Sequence, residues 1–542
     1  MLSRRSLVKG GAVAVASASV AGTLGGCASK SGKDDALASV FKFFITDPVA
    51  IDPYNSQETQ GSAVTRSLFD ALTAYDWERG EIVPLACESW EANEDATEFT
   101  FHLIEGARFH NGDPVDAASF KRAWERVCNP NMPAPSEVAY HLDPVQGAAE
   151  MLAGTATELS GVSCPDDLTL KVKLISPMGD FPYVVAHPAL SPVPQAAIDD
   201  RDSFLFAPIG NGPFKMNGQW ESGQYIYTVA NDDYYGTKPK LSGVYFSIQK
   251  DSDTAFREFE AGNMDCCDIP TGRVKELMGK YGESEDGYTA TTGKQVINGP
   301  QASVYYLCLN LADEVISNKA LRQAMNLAID RQAIIDQLYE GTRVQATSIF
   351  PTLIDDDPSN AWEYATYDPE RAKQIIEDNG LSGTSITLSY NSGGGHEDLM
   401  SMVQAYFQEI GIKVTQSSQE WAAYLSALGD GSFQVGRLGW TADYPTMDNF
   451  LYPNFYSTAD NNYSKYNNAE VDARLLEARK LVDEEARKAV YREINQMVAE
   501  DLPIIPIMYY SVNKVASSDV QKFYFDAQNN AHFETAEMVA TS

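Results

Sequence analysis

The N-terminal third of the chain shows two clear patterns of apolar and polar residues. In Glu98–Leu103 the apolar residues Phe99, Phe101 and Leu103 alternate with polar ones, which predicts a half-buried strand. In Ala117–Val127 the apolar residues recur at intervals of three and four, which predicts a helix. This part of the chain therefore mixes strands and helices.

The C-terminal half predicts an order of strand, helix and strand. A helix is predicted over Glu397–Ile410, because Gly411 ends its apolar periodicity. Apolar residues around Ile386 and Ile412 predict flanking strands, which such a crossover helix joins into a parallel unit. Further predicted elements are a helix that starts after Asp368 with Pro369 in its first turn, a helix over Trp421–Leu428, a strand over Phe433–Leu438, a helical stretch over Asn468–Glu500 interrupted near Asp483, and a strand over Ile504–Tyr510. These patterns predict an α/β fold.

The start of the chain has the charge and hydropathy of an export signal. It carries the basic residues Arg4, Arg5 and Lys9, has no acidic residue, and continues as a run of small apolar residues. Ser3–Lys9 resembles the twin-arginine signal, which exports proteins that have already folded. A transmembrane helix is the alternative, but the run is short and weakly apolar for a bilayer crossing. We expect residues 1–26 to be a signal peptide.

The segment that follows resembles a lipid-attachment site. Leu24–Cys27, with the sequence LGGC, resembles a bacterial lipobox; cleavage before Cys27 would leave its sulfur carrying a lipid. Residues 27–40 are expected to be a tether between this lipid and the folded body. No later segment is long and apolar enough for a membrane helix. We therefore expect an extracytoplasmic protein, in a periplasm or on a cell surface, whose membrane attachment is the lipid alone.

Composition narrows the choice of partners. The 542 residues include 75 acidic and 41 basic side chains, with a net charge of −34. Such a charge argues against nucleic acid as a partner, since phosphate binding needs clustered lysine and arginine. Six cysteines remain after Cys27, and they lack metal-ligand spacing. Their disulfide pairing stays open, although a chain that folds before export in a reducing compartment does not depend on disulfides. We expect neither a metal nor another cofactor.

The motifs of common enzymes are absent, which favours a binding protein with no catalytic residues. The sequence has no Walker loop, GxGxxG, HExxH or GxSxG. GGGH at Gly393–His396 lacks the lysine and hydroxyl residue of a phosphate loop. His102, His110, His141 and His532 are interpreted as polar surface groups. A surface hydrolase with a concealed pair of carboxylates is the alternative.

Several segments, spread over nearly all the mature chain, carry a family resemblance. They are IDPYNSQETQGSAVTRSLFDAL (Ile51–Leu72), PLACESWEANEDATEFTFHLIEGARFHNGDPVDAASFKRAWERV (Pro84–Val127), AHPALSPVP (Ala186–Pro194), NKALRQAMNLAIDRQAII (Asn318–Ile335), QEW (Gln419–Trp421) and RLGWTADYPTMDNFL (Arg437–Leu451). The chain resembles the oligopeptide- and dipeptide-binding proteins, family 5 of the solute-binding proteins of bacterial ABC importers. This resemblance implies a two-lobe α/β fold of the periplasmic-binding-protein type II class, with an extra inserted domain and the ligand enclosed between the lobes.

The resemblance also implies domain boundaries and a function. Lobe one is expected over residues 41–69, 205–300 and 516–542, the inserted domain over 70–204, and lobe two over 301–515. The protein, expected to be a monomer, would capture an oligopeptide by closure of the lobes and deliver it to the transmembrane subunits of an ABC permease. The alternative is the same fold with another solute: a dipeptide, a signalling peptide, nickel, haem or a sugar.

The resemblance assigns the two ends of a bound peptide to two residues. Asp443 follows the predicted strand Phe433–Leu438, at the edge where α/β sheets place ligands. By resemblance it binds the α-amino group of the peptide, a charge-assisted interaction; a turn residue is the alternative. Arg437 matches an arginine that meets the carboxylate of short peptides, with a structural ion pair as the alternative.

The remaining expected site residues surround these two. Trp421 and Trp440 match aromatic walls of side-chain pockets. His396 and His187 match positions that bind the C-terminal carboxylate or line the cleft. The backbone from Leu438 through Gly439 to Thr441 would pair with the peptide as an added strand.

Some positions depart from the family pattern, which leaves the length or chemistry of the ligand open. Ser136 stands where relatives have a cleft tyrosine, and Leu428 stands where they have a second carboxylate-binding arginine. Gln57, with Glu58 beside it, stands where a glutamate approaches the ligand. The disulfide of some relatives would fall at Ser303 and Thr441, so this chain lacks it.

Overall fold

The computed structural model describes residues 40–539 except 57, 393–394 and 460. The predicted signal peptide, Cys27, residues 27–39 of the predicted tether and Gln57 therefore lie outside the described residues. Val40, the last residue of that tether, is buried, so the folded body already includes it. None of the helices in the described ranges combines the length and the apolar character that a bilayer crossing needs.

The described chain contains both strands and helices throughout its length. The strands are β1 (Phe41–Ile45), β2 (Thr73–Asp76), β3 (Glu81–Pro84), β4 (Cys87–Ala92), β5 (Glu98–Leu103), β6 (Val162–Asp166), β7 (Thr169–Lys173), β8 (Phe214–Met216), β9 (Tyr225–Ala230), β10 (Gly243–Ile248), β11 (Cys266–Asp268), β12 (Thr289–Thr291), β13 (Val296–Leu309), β14 (Val344–Gln345), β15 (Ser385–Asn391), β16 (Lys413–Gln419), β17 (Val435–Thr441), β18 (Ile504–Ala516), β19 (Val520–Phe525) and β20 (Ala531–Met538). The α-helices are α1 (Thr59–Leu68), α2 (Ala117–Val127), α3 (Ala148–Leu152), α4 (Phe181–Val184), α5 (Ala196–Asp199), α6 (Arg201–Phe204), α7 (Ser252–Glu260), α8 (Val274–Tyr281), α9 (Lys319–Ala328), α10 (Arg331–Leu338), α11 (Pro369–Asp378), α12 (His396–Glu409), α13 (Trp421–Gly429), α14 (Met447–Phe455), α15 (Ala469–Ala478) and α16 (Glu484–Asp501).

One large mixed sheet runs through the molecule. Its strand order is β16-β15-β17-β13-β18-β11-β1-β10-β9-β8, with β14 paired to β18. The long strands β13 and β18 lie in the middle and pair antiparallel, with a register shift between Pro300 and Val304. A separate four-stranded sheet, β4-β5-β7-β6, lies within the segment predicted as the inserted domain. The predicted domain boundaries themselves stay a prediction.

Strand β13 is buried on both faces, and its alternate residues belong to different cores. One core receives Val304, Tyr306 and Cys308, and another receives Tyr305, Leu307 and Leu309. This division follows from the two-residue period of a strand, which sends successive side chains to opposite faces. The result is a rigid central strand beside β17, on which the candidate site lies.

The locally encoded elements agree with the sequence predictions. Strand β5 and helix α2 have the predicted bounds. The predicted strand–helix–strand unit is β15, α12 and β16, and the two strands are parallel. The helical stretch interrupted near Asp483 forms α15 and α16, with the Asp483 side chain accepting the Ala486 N–H as the cap of α16. The predicted strand at Phe433–Leu438 is shifted, because the structure places β17 at Val435–Thr441.

Candidate functional site

Strand β17 places four of the expected contact positions in a row. Arg437, Gly439 and Thr441 alternate along the strand and therefore share a face, and Asp443 follows two residues beyond its end. On one edge β17 pairs with β13 from Val435 to Thr441. On the other edge it pairs with β15 only at Val435 and Gly436. On this second edge, the residues from Leu438 to Thr441 therefore have no strand neighbour among the described residues.

Asp443 presents a half-buried carboxylate whose partners are neutral. Its Oδ2 accepts from Asn449 Nδ2 at 3.0 Å, and its Oδ1 accepts from the Tyr140 hydroxyl at 3.2 Å. Burial raises the pKa of Asp443 to about 6, and these two hydrogen bonds act in the opposite direction. No ion pair to Asp443 occurs in the part of the chain that the structure describes. The site can therefore accept a cation.

Asn449 fixes the position of Asp443 from the first turn of α14. Its Oδ1 accepts from the Asp443 backbone N–H at 2.9 Å and from Trp440 Nε1 at 3.1 Å. The neighbouring Asp448 is fully buried and accepts from Arg479 at 2.8 and 2.7 Å. Trp440 thus acts on the carboxylate through Asn449, and its expected contact with a ligand stays a prediction.

Two cavities meet at Asp443. One, of about 250 Å³, is lined by Tyr140, Tyr452 and Tyr456 together with the acid. The other, also about 250 Å³, is lined by Asp443 and by further ionisable residues, among them Asp70 and Glu534. Asp443 therefore borders space large enough for side chains of a small ligand.

Arg437, at the other end of the row, also has only neutral acceptors. Its guanidinium donates to Asn391 Oδ1 at 3.3 Å and to the Tyr510 hydroxyl at 2.9 Å. It also lies 4.8 Å from the centroid of the Tyr305 ring. Gly439 makes room for this arrangement, because a Cβ there would lie 2.8 Å from the Tyr510 hydroxyl oxygen. Arg437 forms no ion pair with any of the described residues, so the alternative of a structural ion pair is wrong for that part of the chain.

Arg437 borders a cavity that also contains an exposed tryptophan. The cavity, of about 310 Å³, is lined by Arg437, Gly439, Thr441 and Trp421. Trp421 is 46% exposed, so its ring is free to contact a ligand rather than being part of a core. This position agrees with a pocket wall, although the ligand contact stays a prediction.

His396 lies on the Arg437 side of the row. Its Nδ1 is 3.3 Å from the Tyr305 hydroxyl. Burial, followed by the charges of Arg437 and Arg343, lowers the pKa of His396 to about 4. The ring is therefore neutral near pH 7, so His396 supplies a hydrogen bond rather than a charge.

His187 and His141 lie on the Asp443 side. The rings stack with centroids 4.2 Å apart, and His141 lines the cavity beside Asp443. The interpretation of His141 as a surface group is wrong: it is 3% exposed, because its ring is held between Tyr140 and His187. Burial lowers the pKa of His141 to about 3. His187 and His396 therefore belong to different ends of the site.

Glu58 and Ser136 make internal hydrogen bonds. The carboxylate of Glu58 caps helix α1, accepting the backbone N–H groups of Gly61 at 2.8 Å and Val49 at 2.9 Å. Ser136 donates its hydroxyl to the Tyr54 carbonyl at 2.5 Å. Neither side chain is shown to contact the row on β17, so their ligand contacts stay predictions.

The chain is similar in sequence and in structure to known solute-binding proteins. Residues 81–462 match the family model of bacterial extracellular solute-binding proteins, family 5. The chain belongs to this family. The oligopeptide-binding protein OppA of Bacillus subtilis is 25% identical over 91% of each chain, and the periplasmic OppA of Salmonella typhimurium is 27% identical over 85% of each. The crystal structure of Haemophilus influenzae OppA in complex with RPPGFSPFR has a TM-score of 0.74 at 25% identity, covering 92% of this chain and 99% of that one.

Membership confirms the predicted fold class, a two-lobe α/β binding protein with an inserted domain. As a member of family 5, the protein has a solute-binding role outside the cytoplasm. Among the described residues no group of three or more His, Cys, Asp or Glu could hold a metal ion. The six cysteines in that part of the chain are free thiols.

Two departures of this binding protein have structural consequences. Ser303 and Thr441, the positions of the disulfide in some relatives, face each other across β13 and β17, with their hydroxyl oxygens 3.0 Å apart. A hydrogen bond therefore replaces the covalent link. Leu428 is fully buried in a core, so this position supplies packing and no cleft charge.

Four residues of the site were missed by the sequence analysis. They are Tyr140, Asn449, Tyr510 and Arg343. Tyr140 supplies a hydroxyl four positions after Ser136, where the expected tyrosine is absent. The sequence offered no periodicity or motif that separates these residues from ordinary surface or core positions.

Proposed function

We propose that this family 5 protein binds oligopeptides by their two charged ends, with the α-ammonium at Asp443 and the α-carboxylate at Arg437. The supporting observation is that a strand edge without a neighbour carries an unpaired anion at one end and an unpaired cation at the other. A free peptide is an extended chain with the complementary charges at its ends. Its backbone can add to the edge of β17 as a strand.

The spacing of the two residues limits the length of a ligand that contacts both. Asp443 is six positions after Arg437, which corresponds to at most about 20 Å of extended chain. An extended peptide of about six residues covers that length. The Arg437 side chain reaches along the strand, so shorter peptides satisfy both ends. We infer a ligand of about six residues or fewer.

The names of relatives support peptide as the ligand class. Two relatives are oligopeptide-binding proteins, and one solved relative holds the peptide RPPGFSPFR. For the present chain we propose the same class, with lipid attachment at Cys27, delivery to the transmembrane subunits of an ABC permease, a monomeric state and no catalytic activity. Incubation with peptides and glycans without turnover would dispose of the hydrolase alternative.

Ligand class is tested first by mass spectrometry of small molecules that remain bound after purification of the mature protein. A series of short peptide masses supports the proposal and gives the length range. A single non-peptide mass contradicts the ligand class while leaving the fold unchanged.

The role of Asp443 is tested by calorimetry on Asp443→Asn, which keeps the shape of the side chain and removes its charge. We expect the affinity for Ala-Ala-Ala-Ala to fall at least tenfold, because one partner of a desolvated ion pair is lost. N-acetylation of the peptide should cause a similar loss in the unaltered protein and little further loss in the variant.

Asp430→Asn is the matched control, since Asp430 is an exposed acid that directly follows α13, the helix before β17. It removes the same charge from the protein and should leave the affinity unchanged. Equal affinity of the Asp443→Asn variant and the unaltered protein would overturn the assignment of the ammonium site.

A further inference from the structure

A second arginine, Arg343, contacts the same tyrosine as Arg437, Tyr510. The guanidinium carbon of Arg343 is 5.2 Å from the centroid of the Tyr510 ring and 3.9 Å from that of Tyr339. Arg437 donates to the hydroxyl of the same Tyr510. One aromatic ring therefore carries a guanidinium at its face and another at its hydroxyl.

Neither arginine has a counter-ion. Within the described residues no carboxylate forms an ion pair with Arg343 or Arg437; Arg343 has one polar contact, a weak one at 3.7 Å to Met508 Sδ. The Nε atom of Arg437 is buried without an acceptor.

Other arginines of the molecule have their charge compensated within the protein in one of two ways. Some pair with acids: Arg126 with Asp52 at 2.7 Å, Arg479 with Asp448 at 2.7 Å, and Arg487 with Asp180 at 2.6 Å. The buried Arg322 and Arg331 instead donate to several backbone carbonyls each. Leaving a partly buried charge without either kind of partner costs free energy. Among the described residues Arg343 and Arg437 have neither an acid nor such a set of carbonyls, so a ligand is the remaining source of compensating anions.

The groups around the two arginines do not supply that charge. Burial raises the pKa values of Tyr305 and Tyr339, so both are neutral near pH 7, and so is His396, whose pKa burial lowers to about 4. Glu397 and Asp398, in the first turn of α12, act on the neighbouring His396 and Tyr339.

We propose that the two arginines bind two carboxylates of one ligand, so that the preferred peptides end in Asp or Glu. Arg437 takes the α-carboxylate, as in the proposed function on which this inference rests, and Arg343 takes the side-chain carboxylate. One guanidinium lies at the hydroxyl of Tyr510 and the other over its ring, and these different positions favour two anions over one shared anion. Attraction of an acidic peptide to a protein of net charge −34 is then local, because salt screens the wider field over about 8 Å.

The test compares Ala-Ala-Ala-Glu with Ala-Ala-Ala-Gln by calorimetry, against the unaltered protein, Arg343→Gln and Arg343→Lys. In the unaltered protein we expect the Glu peptide to bind at least tenfold more tightly. Arg343→Gln should reduce that ratio to below about threefold, and Arg343→Lys, which keeps the charge but loses the planar fork, should give an intermediate ratio.

Arg371→Gln is the matched control. Arg371 also stacks on a tyrosine, with its guanidinium carbon 4.9 Å from the centroid of the Tyr364 ring, but it pairs with Glu363 at 2.6 Å. Its replacement should leave the Glu-to-Gln ratio at the value of the unaltered protein.

The outcomes separate this inference from the proposed function. Equal binding of the two peptides to the unaltered protein overturns the second anion site and leaves the peptide-binding proposal intact. An equal loss of both peptides in Arg343→Gln shows one shared carboxylate and also overturns it. Failure of both peptides to bind the unaltered protein contradicts the proposed function itself. If Arg343→Gln does not fold, the comparison of the two peptides on the unaltered protein decides.

Discussion

The two ends of β17 are built from different parts of the chain. At the Asp443 end, the Tyr140 hydroxyl comes from the segment predicted as the inserted domain, and Gln528 Nε2 donates to the Asp443 carbonyl at 3.2 Å. At the Arg437 end, the partners Tyr305, Asn391 and Tyr510 all lie within predicted lobe two. Movement between lobes would therefore change the ammonium site and leave the carboxylate site assembled.

The support beneath each end also differs. A buried ion pair between Asp448 and Arg479, joined by the Tyr491 hydroxyl at 2.8 Å, lies next to Asn449. Beneath Arg437 there are aromatic rings and amide groups but no ion pair among the described residues. The first end is supported by paired charges, whereas the second has a cation without an acidic partner among the described residues.

The largest expected effect comes from breaking the ion pair at the Asp443 end. Asp448→Ala leaves the Arg479 guanidinium buried without a counter-ion, which should lower the free energy of unfolding by about 3–5 kcal/mol. Urea unfolding at pH 7 measures this loss, with Asp430→Asn as the control variant. A loss below about 1 kcal/mol would contradict the view that this pair holds the ammonium site in place.

A second prediction concerns the pH dependence of binding. The pKa of Asp443 in the free protein is raised to about 6 by burial, while the peptide ammonium stays protonated below about pH 7.5. Affinity for Ala-Ala-Ala-Ala should therefore be highest at about pH 7, fall about tenfold per pH unit well below 6, and begin to fall again as the peptide ammonium loses its proton towards pH 8. Calorimetry between pH 5 and 8 measures this profile.

Two variants sharpen that profile. Asp443→Asn should flatten it, although Asp70 and Asp180 also have pKa values raised to about 6 by burial. Tyr140→Phe removes a hydrogen bond to the charged carboxylate, so the midpoint should move to higher pH. A profile that is unchanged in Asp443→Asn would show that another group controls binding.

The linked effect on stability has the opposite direction. Because the pKa of Asp443 is higher in the folded protein than its ordinary value of 3.8, its contribution to stability is fully present below about pH 4. That contribution is lost as pH rises through 6. As the pH rises through 6, ionisation of Asp443 therefore raises the affinity for peptide and lowers the stability of the folded protein.

Sequence reasoning predicted features that depend on local order. The unit of β15, α12 and β16 follows from periodicity and from Gly411, and the place of Asp443 follows from a strand end. Both are properties of short segments. The family motifs then supplied the fold, which no local pattern contains.

The rest of the site depends on contacts between distant segments. Tyr140 and Asp443 are 303 residues apart in sequence, and Arg343 and Arg437, from distant segments, both contact Tyr510. The burial of His141 likewise arises from its stacking on His187. Glu58, in contrast, makes local contacts. It was expected near the ligand together with Gln57, but its carboxylate accepts hydrogen bonds from backbone N–H groups.

The smallest expected effect on stability, and the sharpest contrast with Asp448, comes from Arg437→Met in the ligand-free protein. Since this cation has no carboxylate partner, its removal should leave the free energy of unfolding unchanged or raise it by up to about 1 kcal/mol, while peptide binding is lost. Urea unfolding without ligand, alongside calorimetry, measures both. A fall in the free energy of unfolding of more than about 2 kcal/mol would mean that Arg437 stabilises the fold. Both ends of β17 would then contribute to stability, and the contrast between them would be lost.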